Sequence, residues 1–148
     1  MTASADGAAL RLELRIDTHA LVDLMAQLEA YAARHEWSAA LAHDVRLVVE
    51  ELTLNAMAHG QQPAESGWIR WTISATPDGV ALQLEDGGVA FNPFTGPPPD
   101  LESPLEDRHP GGLGLHLVQA LTTQRHCERR DGQNRLTMTV PSRLSGHV

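Results

Sequence analysis

Cysteine is almost missing from this chain. Cys127 stands alone among 148 residues, which excludes an intramolecular disulfide and a cysteine-rich zinc site. A lone thiol fits a reducing cytoplasm. Its place in an alternating segment reads as a half-buried strand residue rather than a nucleophile. Long apolar runs are missing too, and none approaches the roughly 20 residues of a membrane helix. The N-terminus lacks the basic start and apolar run of a signal peptide. Positive charge is scarce: 11 Lys and Arg face 19 Asp and Glu, for a formal net charge of −8. Direct nucleic-acid binding and anionic membrane surfaces are therefore not expected, because such binders present a basic face. A small anionic ligand remains compatible, since a few local backbone N–H groups outweigh the global charge.

What is present describes one domain. The length suits a single core, and 42% apolar content is ordinary for a globular protein. Residues 1–9 are small and polar and suggest no regular element. Leu10, Leu12, Leu14 and Ile16 alternate with charged residues, the pattern of a half-buried strand. Asp17-Thr18 offers a cap to a helix whose face is Leu21, Leu24, Met25, Leu28 and Tyr31. Ser38 caps a second helix with Leu41, Val45, Val48, Leu52 and Ala56 on one stripe. Residues 68–76 and 80–84 alternate around Pro77-Asp78-Gly79 and read as a hairpin. Residues 95–110 are rich in proline and acid, and no regular element fits. A third helix follows from about Leu113 to Leu121. Strands at 124–130 and 134–140 flank an Asp131-Gly132 turn, and residues 142–148 form a tail. The order is α+β: a two-layer sandwich whose mixed, mainly antiparallel sheet carries three helices on one face.

Three features carry chemistry. On the second helix Leu47, Glu51, Asn55 and His59 stack four apart. A carboxylate there can take a proton, and an amide oxygen is a hard ligand suited to Mg²⁺. Asp86-Gly87-Gly88 ends a strand, where a carboxylate can accept from an exocyclic amine while the glycines leave room for a flat base. Gly111-Gly112-Leu113-Gly114 opens the third helix, whose N-terminal N–H groups suit an anion. It is no Walker loop, because no Lys-Ser/Thr follows, and no dinucleotide fingerprint, because a loop precedes it. Each feature alone also has a plain reading: a solvated helix face, an Asp-Gly turn, a hinge.

Together, in this order, they resemble the GHKL (Bergerat-fold) ATP-binding superfamily of type II topoisomerases, MutL and histidine kinases. The chain is most similar to the anti-sigma-factor serine/threonine kinase branch. The likeness runs from Leu10 to Pro141. It includes Phe91-Asn92-Pro93-Phe94, the helix entry continuing through Leu115 to Val118, and Asp131 to Thr137. The resemblance implies that Glu51 is the general base and Asn55 the Mg²⁺ ligand. It implies that Asp86 contacts adenine beside Gly88, and that Gly112 and Gly114 face the phosphates. The same motif phrases extend the nucleotide-contacting set to His59, Phe91, Gly111, Leu113, Leu115, Asn134 and Thr137. Residues 95–110 match an ATP lid, in which Arg108 and His109 are the only basic residues. Glu50 sits about 100° round the helix from Glu51 and is the weaker candidate base. His43, in Ala42-His43-Asp44-Val45-Arg46, lacks the Thr-Pro of a phospho-acceptor box and reads as a surface residue.

The branch further implies a cytoplasmic partner switch. The domain would use ATP and Mg²⁺, form a homodimer, hold a sigma factor inactive, and phosphorylate a STAS-type antagonist on Ser or Thr. The alternative is a non-catalytic binding module of the same fold, which the poorly basic lid favours.

Overall fold

The computed structural model describes residues 2–5, 9–15, 19–59, 67–90, 92–95 and 112–142. Its elements are β1 (Thr2–Ala5), β2 (Ala9–Arg15), α1 (Ala20–Arg34), α2 (Ala39–His59), β3 (Trp68–Thr76), β4 (Gly79–Asp86), α3 (Gly112–Leu121), β5 (Thr123–Arg130) and β6 (Gln133–Pro141). A short 3-10 turn, Pro93–Thr95, follows β4.

Alternation builds the core. Leu10, Leu12 and Leu14 of β2 are buried on the same sheet face as Ile69, Trp71 and Ile73 of β3. Val80, Leu82 and Leu84 of β4 continue that face, and Leu136, Met138 and Val140 of β6 complete it. The α2 stripe of Leu41, Val45, Val48, Leu52 and Ala56 is buried against it, joined by Val49. Each buried Leu, Ile, Val or Met side chain contributes about 1.5–3 kcal/mol. From α1 come Ala20, Leu24, Leu28 and Tyr31, and from α3 comes Val118. The central helix α2 touches both α1 and α3 and lies over β4 and β6. A polar pair is sealed beneath α2: Trp71 Nε1 donates to Thr53 Oγ1 at 3.0 Å.

The sheet has six strands in the order β1-β2-β3-β4-β6-β5. Two points differ from the sequence expectation. Residues Thr2–Ala5 form an edge strand against β2, held by backbone pairing that needs no apolar side chains. All five pairings are antiparallel, so among the described residues the sheet is not mixed.

Local chemistry sets the ends. Ser38 Oγ accepts from the Leu41 N–H at 3.1 Å and caps α2 as expected. By contrast α1 has His19 at its cap position and no side-chain cap bond; Asp17 and Thr18 lie outside the described residues. Between β5 and β6, Asp131 (φ 53°) and Gly132 (φ 77°) both take left-handed backbone, the requirement of a tight two-residue hairpin. In the other hairpin, a Cβ on Gly79 would run into the Val140 carbonyl.

The sheet face away from the helices carries a row of charges. Glu13, Arg70, Glu85, Arg135 and Glu128 stand directly opposite one another across β2, β3, β4, β6 and β5. Arg70 reaches Glu13 at 3.2 Å, and Arg135 reaches Glu85 at 3.3 Å and Glu128 at 3.2 Å. Alternating sign across five strands opposes any slip of register, because a one-residue shift would turn the row inward.

Candidate functional site

The candidate site forms where α2 passes over the ends of β4 and β6. Asp86 closes β4, and Asn134 stands opposite it on β6. Both are buried, and both point to the helix side with Leu84 and Leu136, two residues away. With Leu52, Asn55, Ala56, Val89 and Pro93 they line a slot of about 330 Å³, counting the solvent at its mouth.

Polar order in the slot is tight. Asp86 Oδ1 accepts from the Gly88 N–H at 2.9 Å and from Asn134 Nδ2 at 3.0 Å. Asn134 Nδ2 also donates to the Val89 carbonyl at 2.7 Å. From β5, Arg129 stands opposite Asn134. Its Nη1 donates to the Gly88 carbonyl at 2.6 Å and to Asn134 Oδ1 at 3.2 Å. All the hydrogen bonds to Asp86 among the described residues end on Oδ1. A single acceptor oxygen between apolar walls suits a flat ring bearing an exocyclic amine.

The structure changes several assigned roles. Asn134 spends both amide hydrogens on Asp86 and Val89, so it buttresses the carboxylate rather than donating to a ligand. Gly88 likewise holds Asp86 through its own N–H. Thr137 is a correction: it sits on the opposite sheet face, in a groove with Thr72, Gln83 and Thr139. A strand turns over every residue, so a position three beyond Asn134 must face away. Leu115 is half-buried, with its side chain packed partly against the core. Phe91 and Gly111 lie outside the described residues, as do the side chains of His59 and Leu113.

Asn55 lines the slot. Glu51, one turn earlier, lies against the start of α3, where a Cβ on Gly114 would run into its carboxylate. Gly114 is thus small to make room for Glu51. Gly112 begins α3, whose first N–H groups have no intrahelical partner, an arrangement that suits an anion. The entry to residues 95–110 is fastened to the same helix. Phe94 N–H bonds Asn92 Oδ1 at 2.9 Å, and Gln119 Nε2 donates to the Phe94 carbonyl at 3.3 Å. Beyond Thr95 that segment lies outside the described residues.

Arg129 and the apolar walls were not foreseen as site residues. The signal for Arg129 was in the Asp131-Gly132 turn, because a two-residue loop pairs 130 with 133 and 129 with 134. Two other residues are settled as bystanders. The Cys127 thiol is pushed up by burial, then by the charges of Asp86 and Glu128, which disfavours the reactive thiolate at neutral pH. The His43 side chain is 74% exposed on α2.

Residues 14–140 match the family described as the histidine kinase-like ATPase domain. The chain belongs to this family. As a histidine kinase-like ATPase domain it is 34% identical over 131 residues to the serine/threonine-protein kinase BtrW of Bordetella bronchiseptica, covering 88% of this chain and 92% of that protein. It is 31% identical over 99 residues to the serine-protein kinase RsbW of Oceanobacillus iheyensis, covering 64% of this chain and 62% of that protein. The crystal structure of the RsbU and RsbW domains of Rv1364c from Mycobacterium tuberculosis shares the fold, with a TM-score of 0.57 at 17% identity. That match covers 93% of this chain and 34% of the other. No helix among the described residues is long and apolar enough to cross a membrane.

Proposed function

We propose that this histidine kinase-like ATPase domain is an ATP-dependent serine/threonine protein kinase of the anti-sigma partner-switch kind. The observation that carries the reading is the pairing of a buried carboxylate, Asp86, with the Glu51 and Asn55 row on the adjoining helix. Relatives named as serine/threonine and serine protein kinases support it. In this reading the adenine amine donates to Asp86 Oδ2, and the phosphates run toward the N-terminus of α3.

Phosphoryl transfer needs mainly positioning and charge neutralisation. Asn55 fits a Mg²⁺ site, because its amide oxygen is a hard donor on the slot wall and Mg²⁺ takes few protein ligands beside phosphate oxygens. When bound, Mg²⁺ would neutralise charge on the phosphates. Glu51 takes the proton of the incoming Ser or Thr hydroxyl. That oxygen bonds the γ-phosphorus as the bond to ADP breaks.

The substrate would be a STAS-type antagonist, and the partner held between phosphorylations a sigma factor. The cell compartment would be the cytoplasm and the assembly a homodimer. The test is transfer from ATP to a STAS-domain protein, read by intact mass. Glu51→Gln should bind ATP normally and lose about 100-fold or more in transfer rate. Full transfer by Glu51→Gln would remove Glu51 from the base role. Nucleotide binding with no transfer by the wild type to any STAS partner would favour the non-catalytic module.

A further inference from the structure

The groups that hold Asp86 are themselves held by one side chain. Asp86 Oδ1 takes two donors, the Gly88 N–H and Asn134 Nδ2. Arg129 Nη1 donates to the carbonyl of the same glycine, Gly88, and to Asn134 Oδ1, the other end of the donating amide. The three side chains form one cross-strand row, Asp86 on β4, Asn134 on β6 and Arg129 on β5. We propose that Arg129 is a positioning residue for base selection, which locks Asp86 with Oδ2 turned into the slot as the acceptor for an exocyclic amine. This rests on the nucleotide reading above.

The physical argument is one of freedom. A carboxylate with a single fixed partner swings about its Cβ–Cγ bond and offers either oxygen. Two donors converging on Oδ1 stop that rotation, provided the donors stay in place. The Gly88 peptide sits in a turn outside β4, and Asn134 has a rotatable side chain, so neither is rigid alone. A guanidinium suits the task, since its charge strengthens both bonds. A fixed carboxylate acceptor favours a 6-amino purine and meets the oxygen of a 6-oxo purine with repulsion. Arg129 is exposed on an edge strand and outside the apolar core, so its removal leaves the core packing intact.

The test uses ADP and IDP, which differ at position 6 of the base. Both are titrated calorimetrically into the whole chain with Mg²⁺. The wild type should prefer ADP. In Arg129→Met the affinity for ADP should fall about tenfold, the scale of one hydrogen bond to a charged group, with little change for IDP, so the preference collapses. Equal losses for both nucleotides would mean a structural role only, and an unchanged preference would mean none; either overturns the proposal. Asn134→Ala supplies a second route. Because both residues act on one carboxylate, the double variant should lose about what Arg129→Met loses alone. Losses that simply multiply would also overturn it. A wild type that binds neither nucleotide would instead refute the nucleotide reading itself.

Discussion

Gly114→Ala separates folding from chemistry at this site. Gly114 lies in the first turn of α3. Replacing a helical glycine by alanine usually stabilises by roughly 0.5–1 kcal/mol, because the unfolded chain loses freedom. Here the added methyl would run into the Glu51 carboxylate. The obstacle is the far end of a flexible side chain on a half-buried position, not backbone. Glu51 can swing away at the cost of about one rotamer, roughly 0.5–1.5 kcal/mol. The two effects nearly cancel, so the melting temperature should move by only a few degrees. Catalysis should not escape, because the carboxylate can no longer lie where it does now. A displaced general base forfeits about 10²–10⁴ in rate. Phosphate transfer measured under saturating ATP should therefore fall at least about 100-fold while the thermal midpoint holds. Full transfer by Gly114→Ala would refute the assignment of Glu51. A large loss of stability would refute the claim that only a side-chain end stands in the way.

Thr53→Val keeps the shape of the core but strands the buried Trp71 N–H. It should cost about 1–3 kcal/mol in urea unfolding, and no cost would show that the bond contributes nothing. Cys127 gives a pH-dependent signal. Its thiol pKa is raised by burial, then by Asp86 and Glu128, so alkylation should be slow at neutral pH and climb only above the ordinary thiol range. Asp86→Asn removes one of the negative charges, so labelling at a fixed mildly alkaline pH should become faster. A rate unchanged by Asp86→Asn would place Cys127 outside the field of that carboxylate.

Much of the architecture was readable because period alone decides it. The Leu41 to Ala56 stripe and the alternation at 10–14, 69–73, 80–84 and 136–140 define which faces are buried, and burial followed. Glu51 and Asn55 were readable as neighbours because four residues is about one helical turn. Edge strand β1 was not, since Thr2–Ala5 holds no large apolar residue and pairs with β2 through its backbone. Thr137 was misjudged against a rule already in hand. If Asn134 faces the helices, the third residue onward cannot. The opposition of Asp86 and Asn134 depends on the register of β4 with β6, and no turn joins those strands to reveal it. The role of Asn134 followed the same path: sequence showed a residue able to hydrogen-bond, and only the register showed that Asp86 and Val89 already consume its donors.

The central claim is that the slot around Asp86 holds ATP with Mg²⁺. The most direct measurement is the thermal midpoint of the whole chain titrated with ATP, with and without Mg²⁺, beside Asp86→Ala and Asn55→Ala. Ligand that binds only the folded state adds about 2.7 kcal/mol at a hundredfold excess over its dissociation constant. The account predicts a rise with ATP that Mg²⁺ enlarges, that Asp86→Ala abolishes, and that Asn55→Ala reduces to its Mg²⁺-independent part. No rise at millimolar ATP, or an equal rise in Asp86→Ala, would contradict it.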